Sequence, residues 1–421
     1  MMQRTWLWLL MAVLAALATA CSSGGDDDDN DNGAPDDDDA ADDDVTDDDQ
    51  TDDDAVDDDT IDDDVTDDDT VDDDTAEEWP GPPWFGCTDE DEPGDATVVL
   101  AFDNVTQYWV SGDDRRTIDE AVEFPAGDWS QVTMRVELDC PEGGACDPWD
   151  RSAEIFLVND PGTVDEEVLE LWRYITPYGR GMCMLGDLTA YKNLLAGTQT
   201  IRSTIDTWVG PNQGWATTIK FVFHPAKDEN TPDQIINLWS YFGNVELGNP
   251  LNPIPTQLGE LSPVLPATVS RAELRILTTG HGQGNLSNCG EFCELDQQAL
   301  VNGEAFWLNP WRGDCVHNPN GPGQSGTWTY NRNGWCPGAP VVPQVIDVTD
   351  AVVAGAANDF KYDIWKNEGV AYENTCRPGA GDPSNYCEGC AFDQNPGNCD
   401  YNGGNHTTPI DILSVQLYVW E

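Results

Sequence analysis

Apolar and polar residues alternate in several short runs of this chain. Val132-Thr-Met134-Arg-Val136-Glu-Leu138 is one, Ile219-Lys-Phe221 continuing to Phe223 is a second, and Leu413-Ser-Val415-Gln-Leu417-Tyr-Val419 is a third. Period two, with one face apolar and the other wet, predicts antiparallel strands of a sandwich. Gly and Pro recur between the runs, where turns need them. One run, Asp187 to Ala196, has helical spacing, with Leu188, Tyr191, Leu194 and Leu195 on one face. Many short strands and almost no helix predict an all-β protein of sandwiches or jelly rolls.

The pattern changes at both ends of the β-rich body. Residues 1–20 read as an export signal: Arg4, then an apolar run from Trp6 to Leu17, then the small residues Ala18-Thr19-Ala20. Cys21 follows directly, as in a bacterial lipoprotein whose cysteine becomes lipid-modified. The apolar run is too short to span a bilayer well, and no later segment is apolar enough, so any membrane link is this anchor. Residues 21–86 form a tether. Within it, residues 26–78 contain 30 Asp and 2 Glu but no Lys or Arg, and Asp-Asp-Asp-x-x repeats seven times from Asp42. Self-repulsion and the lack of apolar mass predict a disordered spacer. Its hard oxygens would give weak association with Ca²⁺.

The body divides near 225–235, where Pro225 to Pro232 is polar and linker-like. We expect one domain over 87–232 and a second over 233–421, the latter carrying a Cys-, Gly-, Asn- and Asp-rich loop at 371–408. The body keeps a net charge of −31 from 48 acids and 17 bases. Such a surface repels nucleic acid, whose phosphates need basic partners. It suits a soluble monomer. Twelve body cysteines behind an export signal argue for disulfides. Zinc is disfavoured, since the body has four His and only one close Cys-x-x-Cys, Cys387 to Cys390. The same four His, none in a His-x-His pair, argue against a copper oxygenase.

Four patches pair charge with aromatic or cysteine residues. The first is Cys140-Pro-Glu-Gly-Gly-Ala-Cys146-Asp147-Pro148-Trp149-Asp150-Arg151, a loop that two cysteines can close, running into a carboxylate beside an indole. The second is Ile205-Asp206-Thr207-Trp208. The third is Thr279-Gly280-His281-Gly282 followed by Cys289-Gly290-Glu291-Phe292-Cys293, and the fourth is Arg332-Asn333-Gly334-Trp335-Cys336. Singly, each has a plainer reading: a surface ion pair for Asp150 with Arg151, a solvated turn for Glu291, core packing for Trp208 and Trp335.

Together, and with Ile175-Thr176-Pro177-Tyr178 and Ile346-Asp347-Val348, the patches stand in an order that resembles the peptide-N-glycosidase F family over residues 95–420. These are bacterial amidases that remove whole N-glycans from asparagine. The resemblance implies two side-by-side antiparallel eight-stranded jelly rolls with the site between them. It implies Asp150 as primary catalytic carboxylate, Glu291 as its partner, and Asp206 where the family has Glu. Arg151, Arg332, Trp208, Trp149 and His281 would line the substrate site. The family's Gly-Trp-Gly-His turn becomes a turn with His281 and Gln283. The resemblance also implies disulfides Cys140–Cys146, Cys289–Cys293 and Cys315–Cys336, and arithmetic leaves Cys87 with Cys183.

The reaction expected on this resemblance is hydrolysis of the amide between asparagine and N-acetylglucosamine in glycoproteins or glycopeptides, with no cofactor and no metal. Two acids facing one cleft should have their pKa values pushed apart. A glycan-binding surface lipoprotein without turnover is the alternative, and the discriminator is binding without cleavage. The expected location is a bacterial cell envelope. Ser22 after the lipid-bearing Cys is more consistent with the outer membrane than with the inner.

Overall fold

A computed structural model describes residues 87–88, 91–226, 231–240, 244–247, 253–282, 289–372 and 409–421. The export signal, Cys21, the acidic tether, Gln283 and nearly all of the Cys-rich loop, including Cys376, Cys387, Cys390 and Cys399, lie outside the described residues. Among the described residues no helix is long and apolar enough to cross a membrane.

In chain order the first strands are β1 (Thr97–Gln107), β2 (Trp109–Val110), β3 (Asp113–Asp114), β4 (Thr117–Phe124) and β5 (Trp129–Asp139). They are followed by β6 (Ser152–Asn159), β7 (Glu167–Ile175), β8 (Met182–Asp187), β9 (Gly197–Ile205) and β10 (Trp215–Pro225). The later ones are β11 (Gln234–Ser240), β12 (Val245–Glu246), β13 (Arg271–His281), β14 (Asp296–Val301), β15 (Glu304–Leu308) and β16 (Trp311–Arg312). The chain then runs through β17 (Arg332–Asn333), β18 (Ala339–Pro340), β19 (Gln344–Asp347), β20 (Phe360–Asn367), β21 (Val370–Ala371) and β22 (Ile410–Trp420). One short helix, α1 (Ile254–Leu258), precedes β13.

Two sandwiches result, each with its own core. In the first, sheet β1-β10-β5-β8 packs on sheet β18-β7-β6-β9-β4. Val132, Met134, Val136, Ile219 and Phe221 from one side meet Ile155, Leu157, Trp172 and Ile201 from the other. In the second, β11-β22-β13-β19 packs on β15-β14-β20-β21, with Leu274, Ile276, Val415 and Leu417 against Ala299, Val301 and Ile364. All described strand pairs are antiparallel. The fold is all-β with two sandwiches, and β18 lends one strand from the later sequence to a sheet of the first sandwich.

Two expectations need correction. The helical run after Asp187 is a 3₁₀ turn, Thr189–Tyr191, opened by Asp187 Oδ1 accepting Thr189 N–H at 2.9 Å. Leu188, Tyr191 and Leu195 are buried as expected of an apolar face. They plug the end of the first core from a compact turn, which needs no full helix. The second correction concerns β22, whose alternate residues Ser414, Gln416 and Tyr418 are not wet. They are buried, as are Leu413, Val415 and Leu417 on the opposite face.

The cause is that β22, with β13, packs its second face on β7 of the first sandwich. Because these strands alternate, the residues they present there are polar, and most take a partner, although the buried Ser414 hydroxyl has none among the described residues. Gln416 Nε2 donates to Glu170 O at 2.6 Å, and Tyr191 Oη donates to Gln416 Oε1 at 2.6 Å. Arg275 Nη2 donates to Leu171 O, and Asn237 Nδ2 to Val168 O. Ile175, Leu277, Trp335 and Val341 add a small apolar cluster beside them. Gln416→Ala, which removes two of these bonds and leaves the buried Tyr191 hydroxyl only its 3.3 Å bond to Glu170 O, should destabilise the body by about 1–3 kcal/mol. Calorimetry on the purified body checks this, and a loss below about 0.5 kcal/mol, the size of an ordinary surface substitution, would show that the polar seam is not stabilising.

Candidate functional site

The first patch folds around a residue to which the sequence reading gave no role. Asp147 is fully buried. Its Oδ1 accepts Trp149 N–H at 3.0 Å, and its Oδ2 accepts Arg151 Nε–H and the Thr207 hydroxyl, both at 2.7 Å. The Cys140–Cys146 disulfide closes the preceding loop. The Ile175–Tyr178 segment fastens the far side: Thr176 Oγ1 accepts Arg151 N–H at 2.9 Å, and Gly179 N–H donates to Asp147 O at 2.9 Å. Arg151 is therefore the partner of Asp147, not of Asp150. Trp149 remains exposed.

Asp150 is left facing the second sandwich, its side chain 14 % exposed and Oδ2 3.6 Å from Arg332 Nη2. Oδ2 is buried with no hydrogen-bond partner among the described residues. Glu291 comes from the opposite side, on the loop closed by Cys289–Cys293. Gly290 and Glu291 N–H both donate to Gly282 O, and Glu291 O accepts Asn333 N–H at 2.8 Å. These bonds need very close backbone approach. A Cβ on Gly290 would sit 2.2 Å from His281 O, and one on Gly334, at φ +88°, would sit 2.2 Å from Thr278 O.

Arg332, fully buried, joins the two acids. Its Nε donates to Glu291 Oε1 at 3.0 Å. Nη1 donates to Thr327 O and Tyr330 O, and Nη2 to Thr327 Oγ1 and, at 3.3 Å, to Tyr178 Oη. Every guanidinium N–H thus has an acceptor, and none of them is Asp150. The guanidinium carbon also lies 5.0 Å from the Phe292 ring and 4.7 Å from the Trp335 ring, a cation–π setting. The Cys315–Cys336 disulfide holds the adjacent turn. The Asp314 carboxylate lies beside these two sulfurs, but being bonded to each other they offer a metal no thiolate.

Burial governs the ionisation of both acids. It pushes the Asp150 carboxyl above the ordinary aspartate range, while the Tyr178 hydroxyl and Arg332 pull it back. Burial raises Glu291 to about 7 against the pull of Arg332, with the Asp150 charge raising it further. His281 is half-buried, stacks on Trp335 with ring centroids 5.2 Å apart, and is lowered to about 3 by burial and by the Arg173 and Arg332 charges.

Asp206 and Trp208 lie apart from this trio. Asp206 N–H donates to Ser152 O, and its exposed carboxylate meets Arg116 Nη1 at 3.3 Å. Arg116 also forks onto Asp114 and lies over the Trp208 ring at 4.1 Å. These groups line a cavity of about 590 Å³ with Glu154, Arg173, Asn244 and Ile412. Burial raises Glu154 there to about 7, against the Arg173 charge. Cys87 and Cys183 are also bonded.

Sequence reasoning missed Tyr178, although its Ile-Thr-Pro-Tyr setting was in view. It missed Arg116 and Arg173 altogether, since neither sits beside a motif. Asp150→Asn removes the negative charge that raises Glu291 and should therefore lower its pKa below 7. A ¹³C carboxyl titration by NMR reads this directly, and an unchanged or higher value would contradict the shared field.

Residues 257–376 match the family described as peptide-N-glycosidase F, C terminal. A relative from Elizabethkingia miricola, peptide-N(4)-(N-acetyl-beta-D-glucosaminyl)asparagine amidase F, is 27 % identical over 298 residues, covering 66 % of this chain and 81 % of the relative. A solved PNGase F structure, a glycosylasparaginase from Flavobacterium meningosepticum, superposes with a TM-score of 0.61 at 20 % identity, covering 77 % of this chain and 96 % of that one. PNGF-II superposes with a TM-score of 0.58 at 14 % identity, covering 78 % and 66 %.

Proposed function

We propose, on the premise that this chain is peptide-N-glycosidase F-like in sequence and fold, that it is an amidase releasing N-glycans from glycoproteins or glycopeptides. The observation that carries the reading is the buried, unbonded Oδ2 of Asp150 beside an arginine whose donors are all used elsewhere. A buried acceptor without a partner is costly. It is repaid when a substrate or its attacking water brings the missing hydrogen.

In this reading Asp150 is the general base. It takes a proton from water as the water oxygen bonds to the asparagine side-chain carbonyl carbon. Arg332 favours the ionised carboxylate without quenching its lone pairs. Arg151, tethered at Nε by Asp147, would turn Nη1 toward the developing oxyanion. The carbon–nitrogen bond then breaks, and the leaving nitrogen takes its proton from Glu291, which near neutrality is held partly protonated. The products are aspartate and a glycan ending in 1-amino-N-acetylglucosamine. Trp149 and Trp208 would offer flat faces to sugar rings, and His281 a polar edge. Asp206, paired with Arg116, would contribute charge and hydrogen bonding rather than proton transfer.

A denatured glycoprotein and a short glycopeptide are the test substrates. Intact glycan should be released with Asn converted to Asp. Asp150→Asn should lose about 10³-fold in kcat/KM, in the range general-base removal costs, with its melting temperature kept. Because Glu291 must be protonated to serve the leaving nitrogen, kcat should fall as pH rises past about 7, and Glu291→Gln should lower kcat and abolish that limb. A limb that survives in Glu291→Gln would remove Glu291 from the acid role. The pairing of Asp206 with Arg116 favours a second reading, glycan binding without turnover, which calorimetric binding with no Asn-to-Asp conversion would establish.

The proposal places the protein in a bacterial cell envelope, lipid-anchored through Cys21 after export. Cys21→Ser should move it from the membrane fraction to the soluble fraction. An unchanged distribution would exclude the anchor.

A further inference from the structure

A second arginine is buried away from the Asp150–Arg332–Glu291 group and reaches it through a series of side chains. Arg173 on β7 is fully buried. Its Nε and Nη2 donate to the two oxygens of Glu170, each at 2.8 Å. Its Nη1 crosses to the other sandwich, donating to Ile412 O at 2.5 Å and to Thr279 Oγ1 at 3.1 Å. Thr279 Oγ1 lies in turn 2.9 Å from His281 Nε2.

The hydrogens in this series can be assigned. A guanidinium only donates, so Thr279 Oγ1 accepts from Arg173. Oγ1 keeps a second lone pair, but the hydroxyl's own hydrogen has no acceptor other than His281 Nε2 among the described residues, so it is assigned to that contact and the ring nitrogen to the lone pair. The imidazole proton is left on Nδ1. The ring so oriented stacks on Trp335 at an interplanar angle of 25°. Trp335 is itself held by its Nε1–H donating to Gly280 O at 2.8 Å. The Arg332 guanidinium carbon lies 4.7 Å from the centre of the same indole.

We infer that Arg173 and Thr279 are positioning residues: they lock His281 as the neutral Nδ1–H tautomer against Trp335, and through that indole they set the place of Arg332 between Asp150 and Glu291. The kinetic consequence rests on the amidase reading; the tautomer does not. The charges around the series agree with it. Arg173 and Arg332 both oppose a proton on His281. On its other side Arg173 is faced by the acids Glu170, Glu154 and Asp411; Glu170 holds two of its donor nitrogens, and none of the three touches the imidazole in any described bond.

The chain has four histidines, so ¹⁵N–¹H correlation spectra of the whole protein can be assigned by one His281→Asn comparison. His281 should show a protonated Nδ1 and an unprotonated Nε2 and should not titrate down to pH 5. Thr279→Val should move the proton to Nε2 or mix the tautomers, while Thr279→Ser should keep the wild-type pattern. On glycopeptide, Thr279→Val should lower kcat by about fivefold to tenfold, the worth of one hydrogen bond, with KM within about twofold, and Thr279→Ser should restore it. A wild-type His281 that carries its proton on Nε2, or that titrates above pH 6, overturns the inference, as does a folded Thr279→Val protein with unchanged tautomer and kcat. A wild type with the stated tautomer but no release of glycan supports the lock and overturns the amidase reading instead.

Discussion

The burial of one guanidinium between two carboxylates is the constraint from which the rest of the site follows. Arg332 has no solvent to solvate it, and an ion that size taken out of water costs several kcal/mol unless it is paired and fully bonded. The chain meets that demand with backbone carbonyls at Thr327 and Tyr330, hydroxyls at Thr327 and Tyr178, and the Glu291 carboxylate. These groups come from three separate segments of the chain. Satisfying one side chain therefore fixes the relative position of the Ile175–Tyr178 turn, the 289–293 loop and the 327–336 segment. Asp150 receives the field of Arg332 but none of its hydrogen bonds, so burial still raises its carboxyl above the ordinary aspartate range and its Oδ2 is left under-bonded.

That arrangement needs backbones closer than side chains permit. Gly280, Gly290 and Gly334 occur where three segments cross, and a methyl group at any of them would overlap a carbonyl oxygen at 2.0–2.2 Å. Cys289–Cys293 and Cys315–Cys336 close the same crossing covalently. The two sandwiches supply the frame for it. β7, β13 and β22 meet through a seam of bonded polar residues rather than an apolar one, so their relative placement depends on hydrogen-bond geometry, which is more directional than apolar packing.

The alternating runs made the strands legible, and three cysteine pairs and the motif order made the two ends of the site legible. What period two could not reveal is what covers the polar face of a strand. Gln416 and Ser414 read as solvent-facing because alternation reports only that two faces differ. Their burial against β7 is a tertiary fact. For the same reason Arg173 carried no signal: it sits in a strand, Glu170-Leu-Trp-Arg173, beside no cysteine and no glycine. Asp147 was hidden by proximity, since Asp150 and Arg151 looked like the natural pair. Adjacent residues in an extended segment point to opposite sides, which is why Arg151 turns back to Asp147 while Asp150 turns outward. The Asp187–Ala196 helix failed because a buried apolar face of four residues can be made by a tight turn as well as by a helix.

The two arginines of the cleft region use the same chemistry to opposite ends. Arg116 is half in solvent, forks onto Asp114, and spends its remaining arm on Asp206 and its flat face on Trp208. Its acids are exposed and balanced, so water screens them and their pairing is weak. Arg332 is dry, and its two acids are buried unequally. Asp206 therefore falls on the side of the cleft where an exposed carboxylate is held loosely by a partly exposed arginine. Asp150 and Glu291 stand on the dry side, where the position of a carboxylate is set to within a hydrogen bond and a one-methylene change would not be absorbed. A chain with this distribution can vary Asp206 and its pairing with Arg116 while leaving the Asp150–Arg332–Glu291 geometry as it is.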